Sequence, residues 1–427
     1  MLERLRAAWQ RSDRLLGLLT DEAWLEQPIA LRQPFLFYLG HLPAFAWNHV
    51  GHGLLGTRGF APELDTLFER GIDPMDVDSY ESQAAWPARE AVLAYRDRVR
   101  AELASALADP GFAAEGRPVV AMVIEHELMH QETLLYMLQE LAHGLKARPR
   151  DWPGLPITAR AQRSRSIEIP AGDAVLGKAP GSLPFGWDNE FPEHRVHVPA
   201  FAIDELPVTN ADLLEFAEDG GYAEPRLWRD EDWAWRTRRC LNQPHAFRAG
   251  ASGLRVRGLL EDVPFERAAS WPAMVSWAEA SAFALWRGAR LPTEAEWHRA
   301  ARGTPAGGDR PWPWGDEPPA ETHGNFHFRH ASPVPVGLYP EGASAWGVQE
   351  LVGNGWEWTM SPFAPFPGFE PMPRYPGYSA DFFDGRHFTL RGGSWATDPA
   401  LLRPSFRNWF QPHYPYVFSK FRCARSL

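Results

Sequence analysis

The stretch Glu125-His126-Glu127-Leu128-Met129-His130-Gln131-Glu132 decides how the first part of the chain is read. It lies within 118–142, where apolar residues recur every three to four positions, which is the pattern of a helix. Two histidines four residues apart then project from one face, about 40° apart, close enough to share one ion. A bound metal asks for three or more protein ligands, so the third comes from another helix. His41 is the best candidate, because the run from Gln33 to Thr57 has no Asp, Glu, Lys or Arg and reads as buried. His49 and His52 lie in the same run, but His52 falls three helical turns beyond His41, roughly 16 Å away, and has another job. Pro43 removes a helical hydrogen bond two residues from His41 and predicts a kink.

The same segment matches the H-E-x-x-H pattern of zinc peptidases, in which Glu127 is the general base. The residues after His130 read QETLLYMLQELAHG and lack the G-x-x-H continuation of the metzincins, and the surroundings read as a bundle. A peptidase is therefore the lesser reading. Glu132, two residues past His130, points to a different face and is expected to be structural.

Working outward, helical spacing over 2–19, 34–55, 87–108 and 118–142 predicts a four-helix bundle, placed at 1–145. A Pro- and Arg-rich stretch, 146–165, reads as a linker. From 166 to 427, Gly, Pro and Trp punctuate short strand-like runs such as SIEIP (166–170) and HRVHVPAFAID (194–204), with only two convincing helices, near 209–219 and 276–288. The fold class is thus α+β, a helical domain followed by a loop-dominated mixed one.

Bulk composition narrows the function. With 427 residues the chain can bury two or three cores. A net charge of −11 argues against nucleic acid as the main partner, because a phosphate backbone demands a basic face. Twenty tryptophans give much rigid aromatic surface, suited to cationic or planar ligands. Two cysteines, Cys240 and Cys423, exclude a disulfide scaffold and an all-cysteine metal site, and fit a reducing cytoplasm. The amphipathic start, MLERLRAAWQRSDRLLGLL, is not a signal peptide. The charge-free run contains Pro43, Asn48 and three histidines, so no membrane span is expected.

Five ordered motifs in the second half resemble the formylglycine-generating-enzyme-like, C-type-lectin-like fold. They are PVTNADLLEF (207–216), RLPTEAEWHRAARG (290–303), GNGWEWT (353–359), RGGSW (391–395) and FRCAR (421–425), with Gly355 where that family usually has Val. Neither cysteine matches the reactive pair of the authentic formylglycine-generating enzymes, so that activity is not carried over. A DinB-like bundle with H-x-x-x-H-x-E ahead of this module resembles the ergothioneine-pathway iron sulfoxide synthases and the related selenoneine synthases. The resemblance implies iron(II) on His41, His126 and His130, dioxygen as oxidant, and hercynine as the substrate attacked at its imidazole C2. It also implies that Asn408 and Trp409 contact hercynine, that Tyr375 donates a proton or hydrogen atom, and that Tyr378 is a second active-site tyrosine.

Two departures bear on the donor. Where the mycobacterial-type enzymes hold the amino-acid end of gamma-glutamylcysteine with an Asp and an Arg, this chain has Phe410 and Tyr414. The branch that takes free cysteine has a tandem tyrosine after the second helix, where this chain reads VDSYESQ (77–83). An uncharged aromatic pair cannot neutralise an ammonium and a carboxylate. Aromatic surfaces such as Phe410, Tyr414 and Tyr416 suit a sugar instead, which implies the selenosugar-using, selenoneine branch. A thiol donor is the alternative, and a non-catalytic lectin-like binding protein is the alternative of another class.

Overall fold

The computed structural model describes residues 1–69, 85–109, 111–112, 114–152, 154, 163–251 and 253–427. The chain divides into two compact units, Met1–Trp152 and Pro153–Leu427. The VDSYESQ segment and much of 146–165 lie outside the described residues.

The first unit holds α1 (Leu2–Leu16), α2 (Phe35–Ala46), the short α3 (Pro62–Leu67), α4 (Arg89–Ala108) and α5 (Arg117–Glu140). α1 packs on α5, and α2 packs on both α4 and α5. On α4 the buried residues are Val92, Tyr95, Val99 and Leu103, one dry face at helical spacing. α2 is different: every residue from Phe35 to Ala46 is buried, as expected of a helix with protein on all sides. The lack of charge in this run therefore reflects a central place in the bundle. Among the described residues no helix is long and apolar enough to cross a membrane.

One expectation needs correcting here. The single helix expected over 34–55 keeps α-helical bonding through Pro43 only to Ala46, then widens into a π turn at Trp47–His52. The amides of Gly53 and Leu55 reach back five residues, to the carbonyls of Asn48 and Val50. The irregularity thus lies beyond Pro43 in the sequence, away from the His41 turn.

The second unit contains, in order, β1 (Ser166–Ile169), β2 (Gly172–Leu176), β3 (His194–Val198), β4 (Phe201–Asp204), α6 (Asn210–Glu218), α7 (Asp230–Arg238), β5 (Phe247–Gly250), β6 (Gly253–Arg257), β7 (Asp262–Pro264), α8 (Phe265–Ala268), α9 (Trp277–Trp286), α10 (Glu294–Arg302), β8 (Trp356–Pro362), β9 (Phe388–Arg391), β10 (Asn408–Phe410), β11 (Ser419–Lys420) and β12 (Ala424–Ser426). The strands form small sheets in the orders β1-β4-β12, β10-β9-β8-β11, β2-β3 and β5-β6-β7. The expectation of only two helices here is wrong: besides α6 and α9 the unit has α7, α8 and α10.

α10 escaped the hydrophobic pattern because its charges are buried. Glu294, Glu296, Arg299 and Arg302 all lie inside. Glu296 receives both guanidinium nitrogens of Arg290, at 2.7 and 2.6 Å, while Arg299 donates to the carbonyls of Pro170 and Asp173. Trp297, Ala300 and Ala301 on the same helix complete a core with Ile169, Leu176, Phe201 and Ile203.

Buried ion pairs hold the long loops. Glu357 of the GNGWEWT motif bonds Arg422 of FRCAR at 2.5 Å, Lys420 at 3.1 Å and Trp297 Nε1 at 2.6 Å. Glu294 takes two bonds from Arg407, at 2.9 and 3.0 Å, and one from Arg391 at 3.1 Å. A carboxylate buried this deeply is tolerated because several donors surround it. The family-like motifs are therefore mostly struts that fix where β8, β9 and β10 present their side chains.

Candidate metal centre

Three imidazoles converge in the first unit, His41 and His126 buried and His130 half-buried. His41 comes from α2, and His126 and His130 come from successive turns of α5. His41 Nε2 stands 3.3 Å from His130 Nε2, and His130 Nε2 stands 3.2 Å from His126 Nε2. Each ring packs against an aromatic residue of α2. Phe37 stacks on His41 with centroids 5.1 Å apart, Phe45 on His126 at 3.5 Å, and Tyr38 lies 5.6 Å from His130. These neighbours limit ring rotation. The sequence carried a signal for them in the aromatic run of α2, although only the histidine was singled out.

Burial holds all three imidazoles neutral. It lowers His41 to about 4, against an opposing contribution from the hydrogen bond to the Phe68 carbonyl. Burial, then the neighbouring imidazoles, hold His126 well below the usual histidine range, and burial, then His41 and Arg32, do the same for His130. His41 Nδ1 donates to the Phe68 carbonyl at 2.8 Å, which leaves its Nε2 as a lone pair facing the cluster. With Nε2 unprotonated on all three rings, a cation standing among them would offset the repulsion of their lone pairs. Ligands about 2.1 Å from one ion in adjacent positions are about 3.0–3.4 Å apart, so the donor set fits a single metal ion.

Glu127 takes no part in the cluster. Its carboxylate accepts from Ser12 Oγ on α1 at 2.5 Å, and the neighbouring Gln131 donates to Ser12 Oγ at 3.1 Å. The glutamate that a zinc peptidase needs as its base is thus a buried link between α1 and α5. Glu132 is also buried. His52 contacts the Asp65 carboxylate at 3.2 Å, and His49 packs its ring on Phe45 at 4.3 Å.

In the second unit the remaining singled-out residues fall in two groups. Trp409 of β10 stacks on Phe363 with centroids 4.3 Å apart and meets Tyr378 edge-on at 5.3 Å. Tyr378 in turn stacks on Trp187 at 3.9 Å, and half-buried Tyr375 lies 5.7 Å from Tyr378. Asn408 Oδ1 accepts the Trp409 amide at 2.9 Å, which leaves its NH2 group for a ligand. Phe410 stacks on Tyr414 at 5.1 Å, and Tyr416 meets Tyr414 edge-on at 5.0 Å.

Sequence reasoning missed a charged network beside this second group. Arg229 lies over Phe388, the register partner of Phe410, at 5.4 Å. Its charge is already committed, because Asp232 takes it at 2.6 and 2.8 Å and also meets His413 Nε2 at 2.8 Å. The two cysteines stand apart as free thiols, Cys240 exposed and Cys423 buried. Burial, then Asp204, pushes the Cys423 thiol up, so it is not a reactive pair member.

Residues 154–427 match the sulfatase-modifying factor enzyme 1-like domain, and residues 4–143 match the DinB superfamily. The hercynine oxygenase of Mycobacterium tuberculosis is 42% identical over 311 residues, 72% of each chain. That of Mycolicibacterium smegmatis is 40% identical over 381 residues, 85% of this chain and 84% of its own. The chain belongs to the hercynine oxygenase family. Ergothioneine biosynthesis protein 1 of Neurospora crassa is also similar, 32% identical over 508 residues that span all of this chain and 57% of its own. As a member of the hercynine oxygenase family the chain is an oxygen-dependent oxidoreductase, and the reading as a non-catalytic binding protein falls.

Proposed function

We propose that this chain joins a chalcogen to the imidazole C2 of hercynine in an iron(II)- and dioxygen-dependent reaction, with a selenosugar as donor. The observation that carries the reading is the convergence of His41, His126 and His130 in a member of the hercynine oxygenase family. These three would hold iron(II), which supplies redox chemistry toward dioxygen and, with three neutral ligands, keeps three coordination positions for reactants. Overall, the C2–H bond and the chalcogen–hydrogen bond are lost, a carbon–chalcogen bond forms, and dioxygen ends as one oxygen on the chalcogen and one in water.

The other residues bind, orient and move protons. Trp409 offers an aromatic ring to the trimethylammonium group of hercynine, and the Asn408 amide donates to its polar end. The Tyr375 hydroxyl would relay a proton to the oxygen being reduced and regain one from those released at C2 and at the chalcogen. Tyr378, wedged between Trp187 and Trp409, sets the place of the Trp409 ring.

A sugar rather than an amino-acid donor rests on Phe410 and Tyr414, and selenium on the resemblance to the selenosugar-using branch. Their stack carries no charge, and Arg229 beside it is already paired with Asp232. A charged amino-acid donor placed there would lack counter-charges and cost several kcal/mol, whereas a sugar needs only stacking and hydrogen bonds. A thiol donor is favoured by one fact, the name of the fungal relative, an ergothioneine biosynthesis protein. Competition among selenosugar, cysteine and gamma-glutamylcysteine at fixed hercynine and iron separates the two. Preferred turnover of the selenosugar supports the proposal, and efficient turnover of a thiol with none of the selenosugar returns the chain to the sulfur branch.

A further inference from the structure

His41 differs from His130 in what holds its second nitrogen. His130 Nδ1 is buried with no hydrogen-bond partner, whereas His41 Nδ1 meets the Phe68 carbonyl at 2.8 Å. A carbonyl can only accept, so wherever that carbonyl sits, the proton of His41 sits on Nδ1 and the lone pair on Nε2. The position of Phe68 therefore sets the tautomer of a cluster residue 27 positions away in sequence.

Phe68 caps α3, with its amide bonded to the Leu64 carbonyl at 3.0 Å. Two features fix α3 in the bundle, the first against α2. The Phe68 ring fills the space over Gly40, where a Cβ would come within 2.5 Å of it, and lies 6.0 Å from Phe37, the ring that stacks on His41. The second feature is Asp65, buried on α3. Its Oδ1 accepts from Tyr95 Oη on α4 at 2.6 Å, and its Oδ2 meets His52 Nε2 at 3.2 Å. Its backbone carbonyl accepts from Asn48 Nδ2 at 3.3 Å, and His52 is itself held by the Thr57 carbonyl at 2.7 Å. The π turn thus contributes Asn48 and His52 to the same clamp.

We infer that α3 is a positioning element for His41, and that Asp65, gripped by Tyr95 and His52, is the residue that keeps the Phe68 carbonyl on His41 Nδ1. This gives His52, which stands outside the cluster, a role in building it. The inference rests on the reading of His41 as a metal ligand, and it adds a residue that touches neither metal nor substrate. Its consequence is specific: loosening α3 lets His41 exchange tautomers, and a ligand that presents N–H to the ion for part of the time binds it less tightly. Loss of such an outer partner costs about 10–100-fold in metal affinity.

Two measurements on the full chain test it. Nitrogen-15 NMR of the histidines in metal-free protein reports which nitrogen of His41 carries the proton, and anaerobic Fe(II) titration reports affinity. The unaltered chain shows His41 protonated on Nδ1. Asp65→Ala shows mixed tautomers and a weaker Fe(II) affinity by about 10–100-fold. Asp65→Asn restores both, because its amide can accept from Tyr95 and donate to His52 Nε2. A folded Asp65→Ala chain with unchanged tautomer and affinity overturns the inference. If Asp65→Ala does not fold, Tyr95→Phe, which deletes a single hydroxyl, carries the same test with the same criterion. An unaltered chain that takes up no Fe(II) contradicts the metal reading instead, and the tautomer measurement then decides the positioning by itself.

Discussion

Phe410 lies face to face with Tyr414, their ring planes within 13° and their centroids 5.1 Å apart. Tyr414 is buried and Phe410 half-buried, so Phe410 is the member of the pair that a ligand reaches. An aromatic pair contributes about 0.5–1.5 kcal/mol beyond its buried area, and a ring that stacks on it gains a similar amount. Phe410→Ala is therefore expected to raise the KM for the donor about tenfold while leaving that for hercynine within about twofold, since tenfold corresponds to about 1.4 kcal/mol. Steady-state kinetics with each substrate varied in turn checks this. Equal rises in both constants would place Phe410 at a shared site.

Tyr375 and Tyr378 are close but differently built in. Tyr378 is clasped between Trp187 and Trp409, and Tyr375 sits half-buried at its edge. Tyr375→Phe keeps the ring and removes only the hydroxyl, so hercynine affinity should hold while the coupling rate falls about 10²–10⁴-fold or the product ratio shifts. Product analysis by mass spectrometry, with binding measured separately, reads both. An unchanged rate and product ratio would remove Tyr375 from the chemistry and move attention to Tyr378.

Glu294 links the second unit to acid stability. Burial alone would raise its carboxyl, but Arg407 and Arg391 outweigh burial and leave it below the usual carboxylate range. A depressed folded-state value means that the pair stabilises the fold above about pH 4.3, the value in the unfolded chain, and that this contribution is lost as pH falls through the folded value. Glu294→Gln strands Arg407 and Arg391 in the interior and should cost about 3–5 kcal/mol at neutral pH. Its stability should also fall less steeply on acidification. Urea unfolding at several pH values measures both, and parallel pH profiles for the two chains would show that Glu294 is not the group responsible.

Legibility in the sequence followed the kind of physics involved. Helical spacing exposed α1 and α4, because each sets a dry face against a wet one, and α5 through its recurring apolar residues although most of it is buried; the absence of charge marked the central α2. Periodicity passed over α10, whose buried charges break the apolar stripe, although Thr293 and Glu296 form a capping box that marks its start. α7 carries Asp230, Glu231 and Asp232 in its first turn and Arg236 and Arg238 in its last, a charge order that suits a helix and was equally available. At the candidate centre the four-residue spacing of His126 and His130 was readable, as was the place of His41 in the buried run. The Phe68 carbonyl was not, because a backbone group has no letter of its own and its position depends on how α3 is held. The commitment of Arg229 to Asp232 was hidden for a similar reason: β10 is distant in sequence from α7, and only the fold brings Phe410 near that pair.

On the proposed reading, His41, His126 and His130 would hold one iron, which would supply the redox chemistry between dioxygen, hercynine and a chalcogen donor. The most direct measurement is anaerobic loading with Fe(II), followed by oxygen uptake, for the unaltered chain and for His41→Ala, His126→Ala and His130→Ala. One equivalent of iron is expected in the unaltered chain, with uptake only when iron, hercynine and donor are all present, and loss of iron and uptake in each folded variant. A full equivalent of iron retained by His41→Ala, or uptake and coupled product without iron, would contradict that reading.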